Sequence, residues 1–167
     1  MAKLNTEVQC ICRDFYIPEP SLLKNWAEKT YIRIGDEASG EIPGDGSDGP
    51  VDLTIRIVDE EEGAELNHRY RKKNGATNVL AFPYEGPKDV PQSILGDIVI
   101  CAPVVAREAQ IAGTSAQSHW AHLVVHGILH LCGFDHKTHR QAEFMENLET
   151  SIMRDMGFPD PYITENG

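Results

Sequence analysis

VDLTIRIV, residues 51 to 58, sets Val51, Leu53, Ile55 and Ile57 on one side of an extended chain and Asp52, Thr54 and Arg56 on the other. That period of two is the pattern of a β-strand with one buried and one wetter face. Asp59 follows where a helix N-cap belongs, and Glu60, Glu61 and Glu62 suit the positive end of a helix dipole. The helix they open should end near Arg71. Upstream, residues 7 to 12 read as a short strand, and Pro20 with Ser21 opens an amphipathic helix carrying Leu22, Leu23, Trp26 and Ala27. Downstream, Asn78 to Phe82 and Ile94 to Cys101 read as strands, the first stopped by Pro83 and the second followed by Pro103 at a helix start. The last third is helical over 103–112, 117–131 and 138–156, with Gly113 and Gly133 as stops. This order predicts an α+β fold: one domain over residues 1–167, with a mixed four-stranded sheet packed with helices. The pattern does not give the strand order.

Bulk properties agree with a folded chain. At 167 residues, 41% hydrophobic and 25% charged, with two Trp and five Phe, it can bury a core and does not have a disordered composition. Residues 35 to 50 are expected to form a flexible loop, since EIPGDGSDGP (Glu41 to Pro50) clusters Gly, Pro, Asp and Ser. The acidic residues there superficially suggest a calcium loop, but an EF-hand needs a helix on each side and a strand follows here. The amino terminus, MAKLNTEVQC, lacks a signal-like apolar run, so a soluble, cytoplasmic protein is expected. In that reducing compartment Cys10, Cys12, Cys101 and Cys132 should be free thiols, buried or half-buried.

A net charge of −11 argues against non-specific coating of nucleic acid, yet charge is local. Residues 66 to 80 carry Arg69, Arg71, Lys72 and Lys73 with no Asp or Glu, a patch of +4 that would receive any polyanion. Tyr70, Phe82 and Tyr84 flank it, as core residues or as platforms on which bases stack.

The chemistry is concentrated in HGILHLCGFDH, residues 126 to 136. His126 and His130 are four apart on the last-third helix, so their imidazoles share one face about one turn apart. Gly133 lets the chain turn back, and His136 returns a third nitrogen. Three neutral nitrogens leave a fourth tetrahedral position open, as in catalytic zinc sites, so one zinc or another divalent transition metal is expected. His122 would extend the stripe, but it lies eight residues from His130, roughly 12 Å along the axis, too far to share the ion. A merely structural histidine cluster is the bland alternative. Hydrolysis is the natural use of such an ion, and a nearby guanidinium suited to phosphate oxygens would complete it; Arg71 is the candidate. The zinc peptidase signature H-E-x-x-H has a Glu after its first histidine, where this chain has Gly127.

These residues resemble the YbeY family of bacterial endoribonucleases. The likeness lies in HGILHLCGFDH, in LNHRYRKKNGATNVLAFPY (66 to 84), in LGDIVI (95 to 100) and in the tail DPYITENG, and it spans nearly the whole chain. The Gly-rich stretch at 44 to 49 is longer than the family pattern. The resemblance implies a single-strand-specific, zinc-dependent endoribonuclease acting in 16S rRNA 3′-end maturation and ribosome quality control. Ribosomal subunits and assembly factors would be its partners. It implies His126, His130 and His136 as metal ligands and Arg71 as the functional arginine. Asp97 and Asp135 lie in matching motifs and are expected to orient ligands or water from behind, with a plain turn role as the alternative for Asp135. Arg69, Lys72 and Lys73 are candidate RNA-binding residues. Water and the substrate's own 2′-hydroxyl both remain open as nucleophile. The competing readings are a zinc metallopeptidase or amidase, and a non-catalytic ribosome-assembly factor whose metal stabilises the fold.

Overall fold

A computed structural model of the chain describes residues 4–12, 14–37, 50–85 and 94–162. Its elements are β1 (Leu4–Cys10), α1 (Pro20–Glu37), β2 (Val51–Val58), α2 (Glu60–Arg71), β3 (Val79–Pro83), β4 (Ile94–Cys101), α3 (Ala102–Ala112), α4 (Ala116–Leu131) and α5 (His139–Asp155). The four strands form one sheet in the order β1-β2-β4-β3. β2 runs parallel to β1 and to β4, and β3 is antiparallel to β4, which makes the sheet mixed. The fold is therefore α+β.

The alternation in β2 decides the layers. Val51, Leu53, Ile55 and Ile57 are buried, as are Ile98 and Ile100 on β4, in a core completed by α1, α4 and α5. α1 contributes Leu23, Trp26, Ala27, Tyr31 and Ile34, a stripe at helical spacing. A smaller cluster of Val58, Leu80, Val99, Cys101 and Val104 lies apart from it, with Leu66 of α2 packed against it.

Helix ends follow the expected chemistry. The Asp59 carboxylate accepts the Glu62 N–H at 2.9 Å, and α2 stops at Arg71 with Lys72 in the left-handed region. Thr138 and Gln141 form a reciprocal capping box on α5. The difference at the amino end is that β1 spans Leu4–Cys10 and not residues 7 to 12. It pairs in register with β2 from Leu4↔Val51 onward, so β2 sets its length. Residues 35 to 37, expected in a loop, belong to α1; the rest of that loop, 38–49, lies outside the described residues. All four cysteines are free, but Cys10 is exposed, because it ends a strand on the sheet edge. Among the described residues no helix is long and apolar enough to cross a membrane.

Candidate metal centre

From Ser118 to Leu131, the residues of α4 that are not fully buried are His119, His122, His126 and His130. All the others face the core, so the apolar sequence itself forces the histidines into one stripe on the open side of the helix. Gly127 is what allows α4 to lie so close to the sheet. A Cβ there would meet three side-chain atoms of Ile98, the nearest at 2.9 Å. The position where H-E-x-x-H carries its glutamate is thus filled by a packing contact.

At the end of α4 the chain turns through Gly133, whose φ of 97° favours glycine, and brings His136 back. One nitrogen from each of His126, His130 and His136 lies within 4.8 Å of the other two. The Nε2 atoms of His126 and His130 are 3.1 Å apart. Two nitrogens on a tetrahedral zinc with bonds of about 2.05 Å would stand about 3.3 Å apart, so this pair suits the ion. The donor set, three imidazoles with one side open, also fits. Burial, reinforced by the neighbouring His126 and His136, lowers the pKa of His130 to about 4, which keeps it neutral as ligation requires. Beside the trio is a small pocket of about 250 Å³ lined by His126, His136, Met145, Glu146, Glu149 and Tyr162.

Behind His126 stands a residue that the sequence reading missed. Glu149 of α5 is 1% exposed, and its Oε1 is 3.0 Å from His126 Nδ1. Its Oε2 is bonded to His122 Nε2 and accepts the Tyr162 hydroxyl at 2.6 Å. Burial pushes the carboxyl pKa up, but hydrogen bonds from the two histidines more than offset this and hold it at about 2. The signal was present: Glu149 occupies a buried stripe with Met145, Leu148 and Ile152, a place for apolar side chains.

The other expected residues are placed differently. Asp135 accepts the His136 backbone N–H at 2.7 Å, a turn contact that lowers its own pKa. Asp97 is on the face of β4 turned away from α4. It lines a groove of about 660 Å³ with Gln9, Thr54, Arg56, Tyr70 and Phe82, where Arg56 is paired with Glu62 at 2.6 Å. Arg71, Lys72 and Lys73 are exposed at the end of α2, and Arg69 pairs with Glu65 one turn back. Tyr70 and Tyr84 are exposed and Phe82 half-buried, so these aromatics lie at the surface. The Tyr70 and Phe82 rings meet edge to face at 5.1 Å. A Cβ on Gly96 would meet both the Phe82 carbonyl and Leu131 at the end of α4. The end of β3 therefore touches Tyr70 of α2 through the Phe82 ring and lies with Leu131 of α4 against Gly96.

The family model described as Endoribonuclease YbeY matches residues 24–157. A curated endoribonuclease YbeY of Nitrosococcus oceani is 57% identical over 115 residues, covering 66% of this chain and 74% of its own. That of Methylococcus capsulatus is 47% identical over 146 residues, 87% of each chain. The solution structure of TM1509 from Thermotoga maritima superposes with a TM-score of 0.50 at 23% identity, over 94% of this chain and 99% of that one, a likeness of fold. With the family model spanning most of its length and relatives this similar, the chain belongs to the YbeY endoribonuclease family.

Proposed function

We propose that this chain is a metal-dependent endoribonuclease that cuts single-stranded RNA, acting in the cytoplasm as one catalytic domain. Its role would be maturation of the 16S rRNA 3′ end and late quality control of ribosomes, in contact with ribosomal subunits and their assembly factors. The observation that carries the reading is the convergence of three imidazole nitrogens, two of them 3.1 Å apart, on the open side of a helix. Family membership supports an RNA substrate.

His126, His130 and His136 would hold one zinc ion, which when bound supplies Lewis acidity toward a phosphoryl oxygen and activates a nucleophile at neutral pH. Arg71 would bind the oxygens of the reacting phosphate and stabilise the charge that gathers on them, which its planar fork suits. Lys72 and Lys73, with Arg69, would hold the adjoining backbone without reading its bases. Tyr70 and Tyr84, exposed beside them, offer ring faces to unpaired bases.

The test is cleavage of a single-stranded RNA by wild type, His130→Ala and Arg71→Glu, with bound metal quantified in each. Cutting by wild type, loss of metal and cutting in the histidine variant, and loss of cutting alone in the arginine variant are expected. Equal cutting by all three would mark the activity as a contaminant. A substrate with a deoxynucleotide at the cleaved position then separates the two nucleophiles, since only water can act without the 2′-hydroxyl.

A further inference from the structure

Among the described residues, two groups of side chains could hold a metal ion: His126, His130 and His136, and also His122, His126 and Glu149. They share His126, and a neutral imidazole has only one nitrogen lone pair in its ring plane to give. An ion in the first group uses Nε2, which faces His130; the second group presents Nδ1, which faces Glu149. The two groups are therefore alternatives, and whatever fixes the His126 tautomer chooses between them.

We infer that Glu149 makes that choice as a positioning residue, accepting the Nδ1–H of His126 so that the Nε2 lone pair is turned toward His130 and His136. The inference rests on the reading of His126 as a metal ligand. A buried carboxylate is costly unless its oxygens are satisfied, and here the partners are divided unequally. Oε2 takes both His122 and the Tyr162 hydroxyl, which anchors the group, and Oε1 is left to His126. The anchors come from α4 and from the segment after α5, so the carboxylate is held from two directions. His122 is a support of the carboxylate in this scheme and not a ligand. Tyr162 brings the carboxyl-terminal segment into the construction of the site.

Long-range proton–nitrogen correlation spectra of the metal-free chain above neutral pH test this directly. Wild-type His126 is expected as the Nδ1–H tautomer, with its Nε2 resonance responding when zinc is added. Glu149→Gln should mix the tautomers and weaken zinc binding about 10–100-fold, measured by competition with a chromophoric chelator. Tyr162→Phe, which leaves the carboxylate in place, should weaken binding several-fold with the tautomer unchanged. An Nε2–H tautomer in wild type overturns the inference, with no need of a variant that folds. So does a folded Glu149→Gln with wild-type tautomer and affinity. If wild type shows the Nδ1–H form but binds no zinc, the ligand reading itself fails and the positioning role falls with it.

Discussion

The histidine centre and the basic end of α2 are held in contrasting ways. At the first, His126 is fixed by Glu149, which is fixed in turn by His122 and Tyr162. At the second, Arg71, Lys72 and Lys73 project into solvent from a helix terminus, and among the described residues the Arg71 side chain has no hydrogen-bond or ion-pair partner. A group that must hold an ion in one geometry gains from being fixed before the ion arrives. One that follows a flexible polyanion gains from long side chains left free. The contrast predicts steep, all-or-none losses at the centre and graded, salt-sensitive losses at the helix end.

The largest effect is expected for His130→Ala. It removes one of three nitrogens and should cut both zinc content and RNA cleavage by roughly a thousandfold or more, as loss of several kcal/mol of charge stabilisation implies. Residual cleavage near wild type in a zinc-free preparation would remove the centre from catalysis. Arg71→Ala should keep its zinc and lose about a hundredfold in kcat, the scale for one preorganised charge donor. A rise in KM with kcat intact would make Arg71 a gripping residue like its neighbours.

The metal-free chain should also weaken in acid. The folded pKa of His130, about 4, lies below its ordinary 6.5, so between those values the unfolded chain binds a proton that the folded one does not. Stability therefore falls as pH drops from 6.5 toward 4, by on the order of 3 kcal/mol. Glu149, ordinarily at 4.5 and held at about 2, contributes stability above 4.5 that is lost as pH falls through 2. Urea midpoints across this range check both, and a flat profile from neutrality to pH 4 would contradict the burial of His130. The smallest effect is expected from Lys72→Ala or Lys73→Ala, each lowering the salt dependence of RNA affinity by about 0.7 in log–log slope. An unchanged slope would place the RNA elsewhere.

Much of this was legible in the sequence, for identifiable reasons. The alternation in β2 and the four-residue spacing of His126 and His130 are local patterns, and local patterns survive folding unless packing overrides them. Asp97 was misplaced because period two puts it opposite Ile98, yet nothing local says which face of β4 α4 will cover. Glu149 is 19 residues past His130 on another helix, so only its misfit among Met145, Leu148 and Ile152 announced it. Where α2 and its basic end lie relative to the histidines is a tertiary relation that no spacing encodes: Leu66 of α2 packs with Val99 on one face of the sheet and α4 with Ile98 on the other.

The contact between Gly127 and Ile98 limits how this scaffold could be re-engineered. Writing H-E-x-x-H into α4 takes a single codon, yet a Cβ there would stand 2.9 Å from the end of the Ile98 side chain, so either Ile98 must shift or the helix must move off the sheet. His126 and His130 ride on that same helix, so any movement of it would also shift their imidazoles relative to His136.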